Sequence, residues 1–591
     1  MKNIYKLLLS FLIAFALFML LVLPTRPQAA VLPQTGGAQV PAKLPIYRLA
    51  APDASGDKAQ RLGRAALGIS EEVKRSDDGF SIRSGSNVVE VDARSGAVWV
   101  ADQAQMWNPE LKPQLPDEKR ARAIAEEFLA QNKLLPSRES EKYSAVSFTQ
   151  VVSTQAVYYD LKSRTRTPRK LDMQVDYATR VKVPGMNTDL PVVGGGGEVS
   201  VTLGDQGKLI GYQSLVRGIE GVELESPVIS RERADEQFKQ MTKGVKLRSY
   251  DAQLAYYSAP VGVEQKFLYP VWVYRATATF GKETVPLRIV TLPATEFGPK
   301  MPPPIPIKPR TDKDTPTRRS TMEEDQGERE RGQKGDRNHF TSRLAKPAPE
   351  SGAAREGGTS FIGVSGGLGG SAGNAQGFVD GLSADGWSIN FKWGDANAFE
   401  SDWRRNDDSW VDAADFVFYT GHANMNGWVL SNPDDTFLDF SEVGASPQSP
   451  GDLWGWQDLE WTIIAACGPL QDNLISPGGG DVFARWDGAF DGLHQLLGYG
   501  AITFDNEDEG KRVVQYARGG DTLIHSWFRA AKEIQPGTNG ASAPDGPTVW
   551  VGVMYVGRTG ADPGGDHIWG HGSVSADPTS PTFFVAMWSP C

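Results

Sequence analysis

The sequence predicts an α/β chain, in which a C-terminal domain with a mostly parallel sheet flanked by helices follows an α+β region. Three observations predict it. Short continuous apolar runs alternate with helical stretches in the C-terminal part, as in sheets that are buried on both faces. The region before it repeats an order of helix and strands, and a proline-rich, charged stretch separates the two. The composition, 40% hydrophobic and 23% charged over 591 residues, excludes a wholly disordered or collagen-like chain.

The N-terminus has the pattern of an export signal. Lys2 and Lys6 precede an apolar stretch that runs to Leu23, and the small residues Ala29 and Ala30 follow. This order predicts a signal peptide over residues 1–30, and therefore a secreted or cell-envelope location for the rest of the chain. The apolar stretch is also just long enough to span a bilayer. An uncleaved membrane anchor stays open as the alternative.

The region 31–295 is predicted to contain two small α+β units of the same design. A helix at 117–133 is predicted by Ala121, Ala125 and Phe128, which fall on one face. Alternation in Leu171, Met173, Val175 and Tyr177 predicts a half-buried strand. The remaining predicted elements are a hairpin at 198–203 and 208–212, a helix at 230–243, and strands at 267–280 and 285–292.

Part of this region resembles a known module. The residues "VVGGGGEVSVTLGDQGKLIGYQS" give the segment 117–245 a pattern similar to the PepSY-like propeptide modules of secreted bacterial peptidases. The resemblance rests on pattern and not on a catalytic residue. It implies that the front of the chain acts as a propeptide.

A linker is predicted over residues 296–358. Pro302, Pro303, Pro304, Pro306 and Pro309 favour a stiff polyproline II conformation. The stretch 311–355 is rich in charged residues, serine and glycine and has almost no apolar residues. Such a segment cannot bury enough surface to offset its ordering entropy, so we expect it to be disordered and open to proteolysis.

The domain 359–591 carries 13 of the 16 tryptophans and five of the six histidines. Its apolar runs predict strands, and the stretches between them predict helices. The predicted strands are 361–364, 416–419, 461–466, 501–504 and 548–556. The predicted helices are 374–382, 482–497, which includes His494, and 511–532, which includes His525.

Charge differs between the two parts. From Thr359 onward there are 30 Asp and Glu against 10 Lys and Arg, whereas the rest of the chain is net basic. A basic front and an acidic back are expected to attract each other in cis, unless both are simply solvated surfaces. The overall charge of −11 argues against a general nucleic-acid binder.

Two predicted strands of the back domain end in reactive side chains. "DFVFYTGHAN" places His422 just after one strand, and "WTIIAACGPL" places Cys467 just after another. A cysteine thiolate is a strong nucleophile, and a neighbouring imidazole can take its proton. Backbone N–H groups at a strand-to-loop turn can hold an oxyanion. Neighbouring strand ends would bring these parts together.

At these residues the chain resembles the caspase-like superfamily of cysteine peptidases, which includes caspases, legumains, gingipains and clostripains. Its mark is an apolar strand ending in His-Gly and, about fifty residues later, another ending in Ala-Cys. The resemblance implies a caspase-like domain with Cys467 as nucleophile, His422 as general base, and the backbone N–H groups of Ala423 and Cys467 as oxyanion donors. Two departures are Ala423, where the family usually has Gly, and Gly468-Pro469 after the cysteine.

Other interpretations of the cysteine stay open. An exported chain with two cysteines often pairs them, so Cys467 is alternatively a buried structural thiol or half of a disulfide with Cys591. The fold can also be caspase-like without activity.

An acidic loop follows the predicted strand 501–504. Asp505, Glu507, Asp508 and Glu509 could form a specificity pocket for Arg or Lys, or could simply be solvated.

Metal and cofactor sites are minor alternatives. His567 and His571, with Asp566, have a spacing that could hold zinc, although the surrounding glycines favour a loop. Asp434 and Asp435, near Asp439, could bind calcium. The glycine-rich stretch 363–372 has a relaxed dinucleotide pattern and a Gly-x-Ser-x-Gly match, but most simply forms a tight strand-to-helix turn. Otherwise no cofactor is expected.

The sequence therefore predicts an exported cysteine endopeptidase, made as a latent precursor, that acts on protein or peptide substrates. Activation would cut the linker between 311 and 355. The alternative from another class is a non-catalytic secreted or envelope binding module, in which a Trp-rich acidic surface on the same fold binds glycan or protein.

Overall fold

The structure is a computed structural model that describes residues 40–135, 140–298, 310, 355–431, 436–443, 445–446, 449–450, 454–541, 546–557, 562–578 and 581–591. The predicted signal peptide and, apart from its two ends and Arg310, the predicted linker lie outside these residues. No helix within the described ranges has the length and apolarity needed to cross a bilayer.

The described residues form seven α-helices. They are α1 (Gly56–Leu62), α2 (Glu118–Gln131), α3 (Arg231–Met241), α4 (Ser371–Ser383), α5 (Val482–Trp486), α6 (Glu509–Arg518) and α7 (Leu523–Ile534). Local caps explain where several of them begin. Asp117 accepts a hydrogen bond from the Arg120 N–H at the start of α2, and Ser230 accepts one from the Arg233 N–H at the start of α3. Both predicted helices of the front region are confirmed.

Strands make up more of the fold than helices do. Those before the linker are β1 (Lys43–Leu49), β2 (Lys74–Ser76), β3 (Gly79–Ser84), β4 (Asn87–Asp92), β5 (Val98–Asp102), β6 (Ser144–Val152), β7 (Gln155–Asp160), β8 (Thr165–Lys170), β9 (Met173–Val181), β10 (Leu190–Val193), β11 (Glu198–Leu203), β12 (Leu209–Ser214), β13 (Ile219–Pro227), β14 (Lys246–Tyr257), β15 (Phe267–Phe280), β16 (Glu283–Pro286) and β17 (Val290–Pro293). Those after it are β18 (Glu356–Phe361), β19 (Ser388–Gly394), β20 (Phe416–Thr420), β21 (Ala423–Asn424), β22 (Gly427–Val429), β23 (Phe437–Asp439), β24 (Ala445–Ser446), β25 (Ser449–Pro450), β26 (Trp461–Ala465), β27 (Gln495–Tyr499), β28 (Trp550–Gly557) and β29 (Phe583–Pro590).

The front of the chain forms one large sheet with the order β13-β1-β15-β14-β10-β9-β11-β12-β5-β4-β3-β2, in which β16 and β17 also pair with β15 and β6 pairs with β9. Nearly all of its pairings are antiparallel, with β10 and β14 parallel. Each predicted helix covers its own apolar core on this sheet. Phe128 of α2 packs in one cluster with Val175, and Phe238 of α3 packs in another with Trp272.

The back domain is built on a sheet with the order β19-β18-β20-β26-β27-β28-β29-β7-β8. The first four neighbouring pairs are parallel and the last four are antiparallel. The α/β class is therefore confirmed in the general sense of a mixed α/β structure. The sequence predicts a mostly parallel sheet, but only half of the pairings in this sheet are parallel. Over all sheets of the described residues, most pairings are antiparallel.

Both faces of the back sheet are buried, as the continuous apolar runs predict. Phe416 and Phe418 of β20 face a core with α4, α6 and α7, whereas Val417 and Tyr419 face a cluster of tryptophans on the other side. Successive residues of a strand point to opposite faces, so a strand with both faces covered must be apolar throughout.

The hairpin β7–β8 comes from the front region but extends the back sheet. Its strand β7 pairs with β29 from Gln155↔Trp588 to Asp160↔Phe583. The predicted front region and back domain thus share one sheet, and charged pairs also join them. Arg166 lies 2.7 Å from Asp472, and Arg83 lies 3.5 Å from Asp521, although Arg529 of the back pairs with Glu90 of the front with the charges reversed.

Four element predictions for the back domain are wrong. Of the predicted strand 361–364, only Phe361 lies in a strand, at the end of β18, because the chain turns toward α4 directly afterwards. The predicted helix 482–497 is the short helix α5 followed, later, by strand β27, because apolar runs of this length fit either structure. The predicted helix 511–532 is interrupted between α6 and α7 at Gly519-Gly520, and Thr522 caps a new helix. The predicted strand 501–504 is reduced to a single bridge between Phe504 and Ile289.

The tryptophan cluster beneath the back sheet is expected to dominate its stability. Trp428 is fully buried, with ring centroids 5.1 Å from Trp403 and 5.5 Å from Trp486. We expect Trp428→Ala to lower the free energy of unfolding by about 3–5 kcal/mol, because it removes a large buried ring and leaves a cavity. Denaturant unfolding monitored by circular dichroism measures this. Trp456→Ala, at a ring that is 39% exposed, is the control and should change it by less than about 1 kcal/mol.

Candidate functional site

His422 and Cys467 lie at the same edge of the back sheet. Strands β20 and β26 are parallel neighbours, and their last pair is Thr420↔Ala465. His422 and Cys467 each follow two residues beyond that pair. Because parallel neighbours are about 4.8 Å apart, the two chains leave the sheet side by side. The structure therefore places the two residues at the carboxyl ends of adjacent strands, although their side chains contact different loops: the His422 ring contacts Gly366, and the Cys467 sulfur contacts Thr503.

Both ring nitrogens of His422 are engaged. The backbone N–H of Arg288 donates to Nδ1 over 3.1 Å, and Nε2 lies 2.8 Å from the carbonyl oxygen of Gly366. Since Nδ1 accepts, the proton of the neutral ring is on Nε2 and is donated to Gly366. Burial lowers the pKa of His422 to about 4, and the nearby charge of Arg288 acts in the same direction. The imidazole is therefore neutral and fixed in orientation. Its basic nitrogen, Nδ1, is occupied by the backbone N–H of Arg288, which belongs to the front of the chain.

Cys467 lies at the wall of a cleft and is itself fully buried. The cleft has a volume of about 510 Å³ and lies between Thr284 and Pro286 of the front and Asn424 and Met425 of the back. The Thr503 N–H donates to the Cys467 sulfur over 3.4 Å. In the described chain no disulfide joins Cys467 to Cys591; both are buried thiols. The disulfide alternative is not what the structure shows.

The predicted oxyanion donors belong to the two turns that follow the strands. Ala423 is buried and begins strand β21, where it pairs with Trp428. On the other side, Gly468 has φ +79°, a left-handed conformation that favours glycine. The glycine after the cysteine is thus required by the turn that carries Cys467.

Arg288, which the sequence analysis did not single out, fills the space beside this pair. One terminal nitrogen of its guanidinium donates to Thr420 Oγ1 and to the Ala465 carbonyl, each at 2.8 Å. The other donates to the Phe504 carbonyl at 2.6 Å and forms an ion pair with Glu509 at 3.2 Å. Burial acts to lower the pKa of Arg288, but the negative charges of Glu509 and Asp505 outweigh it and raise that pKa.

The carboxylates of the acidic loop, residues 505–509, contact different partners. Asp505 accepts a hydrogen bond from the Gly370 N–H over 2.8 Å, and burial raises its pKa. Burial also raises the pKa values of Glu507 and Asp508, which lie farther along the loop. Glu509, at the start of α6, is the member that contacts a basic side chain, that of Arg288.

The zinc alternative is not supported by the geometry. His571 Nε2 lies 2.8 Å from Asp385, and His567 Nδ1 lies 3.3 Å from the Ser573 carbonyl. Asp566 is instead bound to His494, whose Nδ1 is 2.6 Å away. His494 therefore belongs to a buried ion pair before β27, where the sequence analysis expected a helix residue.

Two groups of carboxylates lie close enough to share a cation. They are Glu356, Asp415 and Asp458, at the amino-terminal edge of the parallel strands, and Asp407, Asp408 and Asp412. Of the predicted calcium residues, Asp439 accepts a hydrogen bond from the Ser441 N–H, and Asp434 and Asp435 lie outside the described residues. These groups are remote in the sheet from the cysteine and histidine, which follow its carboxyl-terminal edge.

The glycine-rich stretch after β18 forms a tight strand-to-helix turn. Its part in the site is the carbonyl of Gly366, which accepts from His422. A Cβ at position 366 would lie 3.2 Å from the imidazole and 2.7 Å from Ile362, so only glycine lets the turn approach the ring this closely. The glycine at position 366 is explained by its contact with His422.

We expect His422 to make the folded chain sensitive to acid. Its pKa is about 4 in the folded chain and 6.5 in the reference state, so below pH 6.5 the unfolded chain takes up a proton that the folded chain resists. Stability should fall between pH 6.5 and 4, by roughly 3 kcal/mol for this group. Chemical unfolding at several pH values should show a shallower acid dependence for His422→Gln. An unchanged slope would contradict the burial of a neutral ring.

His494 should produce the opposite pH dependence. Burial alone would lower the pKa of His494, but the hydrogen bond to Asp566 and the nearby carboxylate of Asp577 raise it to about 9. The stabilisation is therefore complete below pH 6.5 and is lost as the pH rises from 6.5 to 9. The same unfolding series on His494→Gln should lose the alkaline decline and keep the acid one.

Comparisons with known proteins concern the back domain. The model of a domain family of unknown function, DUF6345, matches residues 356–589, from the start of β18 into β29. No curated protein matches the chain. A crystal structure of an uncharacterized protein from Eubacterium rectale is similar over 43% of this chain and 84% of its own, with 9% sequence identity and a TM-score of 0.23. That similarity is too slight to carry an argument. The comparisons therefore show that residues 356–589 match a domain family of unknown function.

Proposed function

We propose that the chain is an exported cysteine endopeptidase with a caspase-like back domain, held latent by its own N-terminal half. The observation that carries the proposal is the register of β20 and β26, which places His422 and Cys467 after the same pair of strand residues. Catalysis by a cysteine nucleophile needs a thiol and a general base such as an imidazole, and adjacent strand ends carry these two groups here.

The position of the pair in the sheet supports the proposal. Strand β18 lies between β19 and β20 in the sheet. The connection after β18 leads to β19 on one side, whereas the connection after β20 leads to β26 on the other side. The strand order therefore reverses between β18 and β20. In open α/β sheets, sites form outside the carboxyl ends of the strands at such a switch point. The hydrogen bond from His422 to Gly366 spans the two loops that diverge there.

The proposed reaction follows from the two side chains. When His422 Nδ1 is uncovered, it takes the proton of the Cys467 thiol, and the sulfur attacks the peptide carbonyl to form a C–S bond. The N–H groups of Ala423 and Cys467 stabilise the oxyanion. The C–N bond then breaks, and the imidazolium gives its proton to the leaving amine. Water, deprotonated by His422, hydrolyses the thioester, which restores the thiol and releases the carboxylic product.

Latency is explained by contacts from the front of the chain. The Arg288 N–H occupies the nitrogen that would accept the thiol proton, and the ring of Phe280 lies 5.9 Å from the imidazole. A cut in the predicted linker would not by itself remove these contacts, because β7 stays paired with β29. Activation therefore needs a cut and the withdrawal of the segment that carries Arg288.

The non-catalytic binding module stays as a second candidate on one specific observation. Cys467 is fully buried and both nitrogens of His422 are satisfied by the same chain. A module whose cysteine and histidine only stabilise the loops would look the same before activation. The two candidates differ in what happens after the linker is cut.

The test compares the two cysteines. The chain is trimmed briefly with trypsin, the trypsin is inactivated with a serine-protease inhibitor, and peptide release from an unfolded protein substrate is followed by mass spectrometry. We expect Cys467→Ala to lower the rate by more than about a thousandfold, because it removes the nucleophile. Cys591→Ala, which removes the other buried thiol, is the matched control and should retain activity.

Two results would contradict the peptidase. One is an equal rate of peptide release in the Cys467→Ala variant, and the other is no release from any trimmed, correctly folded form. Iodoacetamide provides an independent readout, since it should modify Cys467 in preference to Cys591 after trimming.

A further inference from the structure

We propose that the pocket occupied by Arg288 is the specificity pocket of this site, that it selects the guanidinium of an arginine in the substrate, and that the segment around Arg288 inhibits in cis by imitating that substrate. The inference rests on the proposed function. It adds the class of substrate and identifies the element that must leave.

The pocket is built wholly from the back domain. Its acceptors are Thr420 Oγ1, the carbonyls of Ala465 and Phe504, and the carboxylate of Glu509. Thr420 and Ala465 end the two strands that lead to His422 and Cys467. The charged end of Arg288, which comes from the front of the chain, therefore lies between the strands that deliver the proposed catalytic groups.

The acceptors are held in place by further buried groups. Glu509 accepts hydrogen bonds from the Tyr499 hydroxyl at 2.6 Å and from the side-chain amides of Asn374 and Gln535 at 3.0 and 2.7 Å. Gln535 also fixes Phe504, accepting from its N–H and donating to its carbonyl. A carboxylate held by this many fixed donors is preorganised to receive a cation.

The backbone beside Arg288 is bound in the manner of an added strand. The Ile289 N–H donates to the Thr503 carbonyl over 2.8 Å, and the Asp505 N–H donates to the Ile289 carbonyl over 2.9 Å. Pairing of an extended segment with a sheet edge or loop is a common way to bind a peptide. Thr503 also contacts the Cys467 sulfur, so the bound segment passes directly by the nucleophile.

Arginine fits this arrangement and lysine does not. The two terminal nitrogens of the guanidinium point to acceptors on different loops, one to Thr420 and Ala465 and the other to Phe504 and Glu509. A single ammonium cannot reach both sets, because it is a point charge without the fork of a guanidinium. The substrate class that the pocket recognises is therefore a peptide with arginine.

Ordinary stabilisation of the fold explains these contacts less well. A buried ion pair rarely stabilises a fold more than apolar packing would, because both charges must be removed from water. Here the guanidinium lies between the strand ends that lead to His422 and Cys467. Placement beside His422 and Cys467, and not burial alone, carries the inference.

The pocket can be tested without peptidase activity. In a Cys467→Ala background, Arg288→Ala vacates the pocket, and agmatine, an alkylguanidinium, is titrated while the thermal midpoint and the calorimetric affinity are measured. We expect agmatine to stabilise this variant with an affinity at least about tenfold higher than that of butylamine, because charged hydrogen bonds are lost with the amine. The parent with Arg288 in place should respond much more weakly, because agmatine must first displace Arg288.

The matched control is Arg288→Ala combined with Glu509→Gln, which keeps the space and removes the charge. Agmatine should bind it at least about tenfold more weakly. If Arg288→Ala is unfolded when alone, refolding by agmatine in circular dichroism is the equivalent readout. Absence of any agmatine response in either assay, or an equal response in all three proteins, would overturn the inference.

A second arm separates the failure of this inference from the failure of the peptidase. With Cys467 intact, the Arg288→Ala chain is trimmed with trypsin, the trypsin is inactivated, and matched peptides that contain arginine or alanine are added. Preferential cleavage of the arginine peptide supports both proposals. Agmatine binding without cleavage leaves the guanidinium pocket standing and overturns the peptidase, whereas cleavage without arginine preference overturns the pocket alone.

Discussion

The contact on which the arrangement depends is the buried guanidinium of Arg288 against Glu509, at the carboxyl ends of β20 and β26. It joins the front of the chain to the back domain at the site of the histidine and the cysteine. The same residue covers His422 with its backbone N–H and fills the neighbouring pocket with its side chain. One residue thus links the hydrogen bonding of the imidazole to the occupancy of the neighbouring pocket.

A buried ion pair of this kind is stable only while both charged partners are present. Breaking a buried pair by taking away one partner leaves an uncompensated charge, at a cost of about 3–5 kcal/mol. Glu509 would bear that cost if the Arg288 segment withdrew and nothing replaced it. A second guanidinium offers the same hydrogen bonds, so exchange between Arg288 and an external arginine is far less costly than simple opening. In the proposed peptidase, binding of the substrate and release of the segment that carries Arg288 would be one linked equilibrium.

The paired strand ends were predictable because their signal is local. Apolar runs ending at Thr420 and Ala465 specify buried strands, and the residues that follow must lie at the sheet edge. Arg288 was not predictable in this way, since residues 285–292 carry the pattern of one continuous strand. The structure interrupts that strand between β16 and β17, because tertiary contacts with Thr503 and Glu509 outweigh local strand preference. The prediction of one helix over 482–497, where the structure has α5 and β27, was wrong for a related reason, since short buried apolar runs do not distinguish a helix from a strand.

The shared sheet limits how the front of the chain can act as an inhibitor. A separate propeptide can dissociate as a unit once its linker is cut, but here β7 and β8 continue the sheet of the back domain, and β7 pairs with β29 along six residues. Dissociation would expose β29 as a long apolar edge, which proteins avoid. A smaller movement, confined to the connection between β16 and β17, uncovers His422 and the pocket and leaves that pairing intact. The architecture therefore favours an inhibitor that remains attached and yields its place to arginine over one that is discarded.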